Sequence, residues 1–153
     1  MLWGSASTRF DEKNRVKVPA KFRGTLESRF GKEYFITFFP GESIRIYPVE
    51  VWRALEVSLS RASSSVDPLV ARFKKHAHLN GHCASMDSQG RILVQTRLRK
   101  KAGLGDEITI LGQQDYLELW NQDEIESDVA QNPLTPQELS TLSRMIDPFR
   151  EDD

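Results

Sequence analysis

Two clusters of cations offer the clearest chemistry. Residues 9–23 hold Arg9, Lys13, Arg15, Lys17, Lys21 and Arg23 against only Asp11 and Glu12. Residues 91–101 hold Arg91, Arg97, Arg99, Lys100 and Lys101 with no acid. The guanidinium group is a rigid fork of N–H donors that matches phosphate oxygens and guanine edges. A two-stranded ribbon can enter a major groove, where bases are read. Such residues could therefore recognise a polyanion. A plainer reading stands beside this one. Arg15 and Arg91 follow Asp11 and Asp87 by four residues, a spacing at which each arginine could pin its own turn. The two readings are compatible.

Other chemistries find less support. His76, His78, His82 and Cys83 are metal-ligand types, but no second Cys/His pair follows at a standard zinc spacing. His76 and His78 lie two apart on an expected helix and so diverge. No metal site is expected. There is no glycine-rich phosphate loop, no Gly-x-Ser-x-Gly and no His-Glu-x-x-His. An enzyme is therefore not expected, and a metal-dependent one is the weakest reading. Tyr34, Phe35, Phe38 and Phe39 could stack on single-stranded bases, though a buried strand explains them more simply.

The elements that would position the cations form an internal repeat. Asp11-Glu12-Lys13-Asn14-Arg15-Val16-Lys17-Val18-Pro19-Ala20-Lys21-Phe22-Arg23 matches Asp87-Ser88-Gln89-Gly90-Arg91-Ile92-Leu93-Val94-Gln95-Thr96-Arg97-Leu98-Arg99, 76 positions later. Ile44-Arg45-Ile46-Tyr47 matches Leu117-Glu118-Leu119-Trp120 at an offset of 73. Asp11–Asn14 and Asp87–Gly90 read as turns, because Asp accepts from backbone N–H groups just ahead and Asn or Gly tolerates a left-handed residue. In the strands that follow, Val16 and Val18, like Ile92 and Val94, should face inward. Arg15 and Lys17, like Arg91 and Leu93, should face outward. Leu93 departs from the pattern by putting an apolar group where the first copy has a charge.

A short helix should follow each strand, with Pro19 in the first turn of one and Gly103 stopping the other. Phe22 with Leu26, and Leu98 with Ala102, would be buried. Two hairpins should come next: Tyr34–Phe39 with Ser43–Tyr47 around Pro40-Gly41-Glu42, and Glu107–Leu111 with Tyr116–Trp120 around Gly112–Asp115. Between the copies, a helix starting at Pro48 would carry Trp52, Leu55 and Leu59 on one face. Ser63-Ser64-Ser65 breaks the pattern, and Asp67 caps a second helix with Pro68 at its first position. Asn121 with Glu124, and Thr135-Pro136-Gln137-Glu138, read as caps, so the tail should be helical in parts.

The net charge of −1 conceals a segregation. Residues 1–114 carry 19 Lys/Arg and 11 Asp/Glu, a net of +8; residues 115–153 carry Arg144 and Arg150 against 11 acids, a net of −9. A basic body with an acidic tail is a pattern of polyanion binders, although a merely solvated acidic helix would give the same count. The single cysteine rules out an internal disulfide and suits a reducing cytosol. The start shows no signal peptide, and the most apolar stretch, Tyr34 to Phe39, is far below the roughly 20 residues of a membrane helix.

These residues resemble the MraZ family. The resemblance rests on Asp11-x-Lys13-x-Arg15-x-x-x-Pro19-x-x-Phe22-Arg23, Tyr47-Pro48-x-x-x-Trp52, Asp87-x-Gln89-Gly90-Arg91-Ile92-Leu93, Leu98-x-x-x-Ala102-Gly103-Leu104 and Leu119-Trp120, in that order. It covers about residues 1–125. It implies an α+β chain of two tandem swapped-hairpin AbrB-like β modules, which form a pseudo-two-fold β-barrel core with short helices and a helical connector. The expected boundaries are 5–52 for the first module, 53–80 for the connector, 81–124 for the second module and 125–153 for an acidic, partly helical tail. The resemblance further implies a cytoplasmic, nucleoid-associated regulator. It would form ring-shaped homo-oligomers and bind direct repeats in double-stranded DNA near the promoter of the cell-division and cell-wall gene cluster. The family's DNA-contacting arginine falls on Arg15, with Lys13 beside it and Arg91 as its counterpart; Lys17 and Arg9 complete the expected DNA-binding set. No cofactor, membrane or small-molecule substrate is expected. Two departures stand out. Asn14 occupies a usual Gly position. Gln95 occupies a frequent Pro position, so the second strand is expected to run on. The rival reading is a protein-interaction scaffold of the same hairpins, in which the arginines only hold turns.

Overall fold

Alternation of apolar and polar residues builds most of the strands. A computed structural model describes residues 1–39, 43–62 and 67–146. Residues Met1–Gln122 form one compact unit and Asp123–Asp153 a second. In the first unit the order is β1 (Ser5–Arg9), β2 (Arg15–Lys17), α1 (Ala20–Arg29), β3 (Glu33–Phe38), β4 (Ile44–Pro48), α2 (Val49–Ala62), α3 (Pro68–Asn80), β5 (His82–Ser85), β6 (Arg91–Leu93), α4 (Thr96–Lys101), β7 (Glu107–Gly112) and β8 (Leu117–Asn121).

Six strands form an antiparallel sheet in the order β1-β7-β8-β4-β3-β5, and β2 pairs with β6 in a separate two-stranded ribbon. The first strand of each copy therefore lies in the other copy's half: β1 on β7 and β5 on β3. The register marks a pseudo-two-fold axis. It passes between Val16 and Ile92 in the ribbon and between Arg45 and Glu118 in the sheet, both pairs of matching repeat positions. The fold is mixed α+β, as expected, but the sheet is open rather than closed into a barrel. β1 and β5 end its two edges. Among the described residues the ribbon is tied to them by the isolated bridge Phe10–Val16 and by side-chain bonds, Thr8 Oγ1 donating to the Lys17 carbonyl and His82 Nε2 facing the Leu93 carbonyl, and not by a continuous ladder. With three residues each, β2 and β6 are too short to extend a ladder to both edges.

One core fills the space between ribbon and sheet. Val16, Val18, Ile92 and Val94 come from the ribbon, Phe22 and Leu26 from α1, and Leu98 from α4. Tyr34, Ile36, Phe38, Ile44, Ile46, Ile108, Ile110, Leu117 and Leu119 come from the sheet. Both copies contribute, so neither can bury its apolar face without the other. On the opposite face Phe35 and Tyr47 meet Trp52 of α2 and Ala77 of α3, with Phe35 stacked on Trp52 at 4.7 Å between centroids. The aromatic run is thus a buried strand: Tyr34, Phe35 and Phe38 are enclosed, and Phe39 stacks on Phe73. Burial pushes the Tyr34 hydroxyl up to about 12, with the charge of Glu27 adding to it.

Several local expectations hold. Asp67 accepts from the Leu69 N–H to cap α3, and Gly103 takes a left-handed φ of 67° just past α4. Both hairpins form; Pro40-Gly41-Glu42 and Ser63-Ser64-Ser65 lie outside the described residues. Others need correction. Pro48 closes β4 and α2 begins at Val49. Gln95 does not prolong its strand. It starts α4 at φ −56°, ψ 140°, nearly the −58°, 149° of Pro19, so a proline-like backbone is kept without a proline. The helix expected after Asn121 does begin there, at Gln122, while the Asn121 amide donates to the Gly103 carbonyl.

The second unit contains α5 (Gln122–Gln131), which begins one residue before it, and α6 (Pro136–Met145). Thr135 and Glu138 form the expected reciprocal cap at the start of α6. Leu139, Leu142, Met145 and Ile146 of this unit are exposed.

Candidate nucleic-acid interface

Each turn is built around its aspartate. Asp11 Oδ1 accepts from the backbone N–H groups of Lys13 and Arg15, and its Oδ2 accepts from Arg15 Nε at 2.8 Å. Asp87 repeats this with Gln89, Arg91 and Arg91 Nε at 2.7 Å. The backbone closes the same way twice: Asp11 N–H to the Arg15 carbonyl and Asp87 N–H to the Arg91 carbonyl, each at 2.9 Å. Asn14 and Gly90 supply the left-handed residue at φ 59° and 77°. The Arg15 backbone N–H, with the Arg15 side chain and the Lys13 N–H, holds the Asp11 carboxyl below its ordinary value. The corresponding groups of Arg91 and Gln89 bring Asp87 to about 2.

The turns also lock each other. Val18 N–H reaches the Gly90 carbonyl and Val94 N–H the Asn14 carbonyl. Arg23 donates to the Ser88 carbonyl in the opposite turn, and Arg99 donates to Asn14 Oδ1 in the other. A Cβ at Gly90 would lie 2.9 Å from Arg23 Cδ, so glycine there serves close approach as well as φ. Arg99 also binds Asp106 at 2.7 Å and sits over Phe10 at 4.3 Å. Arg23 and Arg99 thus clamp the scaffold instead of adding to a free cationic face. Sequence reasoning missed this, although the matched ends of the two repeat segments carry the signal.

The outer face of the ribbon follows from strand alternation. Val16 and Ile92 are fully buried, so Arg15, Lys17, Arg91 and Leu93 lie on the other side. Arg15 pairs across with Leu93, and Lys17 with Arg91. Arg15 and Arg91 keep 26% and 28% of their side chains exposed, and Arg15 Nη1 stands 3.8 Å from Asp87 Oδ2 across the axis. Each guanidinium thus spends its Nε on an aspartate and retains its terminal nitrogens. Two arginines with two aspartates make a locally neutral group. The positive surplus comes from Lys13 and Lys17, which are exposed and, among the described residues, not ion-paired. Arg9 is exposed at the end of β1 and pairs with Glu107 at 3.3 Å. Its counterpart Ser85 donates to Glu33, so a charge and a hydroxyl fill the same place in the two halves.

The histidine–cysteine group is not assembled. His78 faces Glu56 at 3.2 Å, His82 Nε2 lies 3.0 Å from the Leu93 carbonyl, and Cys83 is exposed. Among the described residues no group of three such side chains is placed to hold a metal. No helix among them is long and apolar enough to cross a membrane.

Comparison with known proteins gives a family. A family model described as "MraZ protein", antitoxin-like, matches residues 79–144. The transcriptional regulator MraZ of Acidobacterium capsulatum is 32% identical over 143 residues, covering 94% of this chain and 97% of that protein. The chain belongs to the MraZ family. The regulator of the same name from Koribacter versatilis is 32% identical over 94% of this chain and 97% of its own length. That of Nitrosomonas eutropha is 36% identical over 79% and 81%. The matches to whole relatives span both halves of the pseudo-two-fold unit, so the turn at Arg15 and the turn at Arg91 both fall within MraZ-like sequence.

Proposed function

We propose that this MraZ-family chain is a non-enzymatic, sequence-specific regulator of transcription that grips double-stranded DNA with the outer face of the β2–β6 ribbon. One observation carries the reading: two arginines held by aspartates flank the pseudo-two-fold axis on an outward face with exposed Lys13 and Lys17 beside them. An arginine whose Nε is already fixed has fewer rotamers to lose on binding, so its terminal nitrogens meet a guanine edge or a phosphate at lower entropic cost. Lys13, Lys17 and Arg9 would contact phosphates, which positions the ribbon without reading sequence. The turn-pinning role and the DNA role are thus one arrangement.

In the same reading the chain consists of two swapped-hairpin AbrB-like modules, 5–52 and 81–124, joined by the connector 53–80 and followed by the tail 125–153. The crossed strand pairings support this reading. Ring-shaped homo-oligomers in a nucleoid-associated cytoplasmic pool would set several ribbons along direct repeats near the promoter of the cell-division and cell-wall cluster. Weak single contacts then sum by avidity. The test is binding to repeat-bearing duplex DNA from the chain's own gene neighbourhood, for wild type and Arg15→Ala. Loss of about tenfold or more is expected, the scale of one good arginine–base contact. Equal affinity would remove Arg15 from the interface.

A further inference from the structure

The two halves of the ribbon differ at one outward position. Lys17 and Leu93 occupy matching places in the repeat, the last residue of β2 and of β6. Lys17 is exposed, and Leu93 keeps 44% of its surface in solvent. Its inward neighbours Ile92 and Val94 are fully buried, so the core has no need of it. What the fold takes from residue 93 is its backbone: the carbonyl faces His82 Nε2, and the residue pairs with Arg15. The part of Leu93 left in solvent is apolar surface on the outward face of the ribbon, which only a further partner would remove from water.

We infer that Leu93 is a base-reading contact, an apolar partner for the C5-methyl group of thymine, set beside the guanine-reading fork of Arg15. This rests on the DNA-binding reading above and deepens it. Directly opposite residues of an antiparallel pair have Cβ atoms about 4.5–5.5 Å apart on the same face. Side chains rooted that close together, one long and one short, can reach the edges of neighbouring base pairs, which are stacked about 3.4 Å apart; there guanine offers two acceptors and thymine a methyl. On the other side of the axis Arg91 lies opposite Lys17, whose side chain ends in a charge where Leu93 ends in methyl groups. The ribbon is then symmetric in backbone and asymmetric in what it reads. One half takes a guanine next to a thymine, and the other a guanine next to a phosphate. This position adds a difference in base reading to the differences in charge between the two halves, so a single chain has a direction on DNA.

The experiment uses the full chain and a duplex amplified from the region upstream of its own coding sequence, made once with dTTP and once with dUTP. Uracil pairs like thymine but lacks the methyl. Wild type should bind the thymine duplex tighter by about fourfold for each methyl covered, the value of one buried methyl-sized group. Leu93→Lys should fold, because the matching strand position already carries Lys17. It should bind both duplexes with one affinity, and that affinity should fall more steeply with salt. Equal wild-type affinity for the two duplexes overturns the assignment. So does a thymine preference that survives in Leu93→Lys. Binding to neither duplex would instead sink the DNA reading itself, a distinct result.

Discussion

The turn at Asp11–Arg15 and the turn at Asp87–Arg91 are nearly the same object made from different sequence. Both aspartates accept the same three bonds, at distances within 0.1 Å for the arginine Nε. Both close with a left-handed residue, yet one is Asn and the other Gly. Around this common frame the neighbours diverge: Lys13 against Gln89, Lys17 against Leu93, Arg9 against Ser85. The Asp–Arg pairing fixes geometry, and the flanking positions decide chemistry. The first turn is the more cationic, and the second is the one with apolar surface. This makes Arg15, rather than Arg91, the better candidate for the tighter phosphate-assisted contact.

Substitutions can break or sharpen this comparison. The largest effect on stability should come from what the turns share, the core under the axis. Ile92→Ala removes a fully buried side chain and should cost about 2–5 kcal/mol in chemical denaturation. A cost far below that would mean the ribbon is not seated on the core. Next comes the charge that holds each arginine. Asp11→Ala should weaken DNA binding by about tenfold, the scale of one charge-assisted bond, even though it removes a negative charge from a DNA-facing surface. Stronger binding would show that Asp11 only repels the polyanion. The two left-handed residues should then separate. Gly90→Ala should cost about 1–2 kcal/mol from φ alone, with the approach of Arg23 adding to it. Gly90→Asn, which copies the first turn, should cost less because Asn tolerates that backbone.

Acid should act on both turns with one sign. The folded carboxyls of Asp11 and Asp87 sit below their ordinary value of 3.8, Asp87 at about 2. Their contribution to stability is therefore complete above about pH 4 and is lost as the pH falls toward 2. Thermal denaturation at pH 7, 5 and 3 should show little change over the first interval and a drop over the second. In Asp87→Asn, which does not titrate, the drop should shrink.

Much of this was legible in the residues. The repeat, the aspartate turns, the inward Val16, Val18, Ile92 and Val94, and the caps at Asp67 and Thr135 all depend on local geometry, which the chain spells out over a few positions. The way the halves interleave did not. Pairing β1 with β7 joins residues about a hundred positions apart, and no periodicity reports which of several equally apolar strands will be neighbours. The expected barrel became an open sheet with a separate ribbon for that reason. The cationic clusters are also less free than their composition suggests. Arg23 and Arg99 end matching segments, but only the fold shows that each crosses to the opposite turn and is used there. Gln95 misled in the opposite way. A non-proline residue can take the proline backbone when the helix behind it demands it.

The most direct test of the central claim is the salt dependence of DNA affinity for wild type and for Lys13→Ala/Lys17→Ala. These exposed lysines carry the positive surplus of the ribbon face, and neither supports the core. If both meet phosphates, the log–log slope should become shallower by about 0.9 for each, roughly 1.8 in all. An unchanged slope, with DNA still bound, would place the interface elsewhere on the molecule and contradict the account.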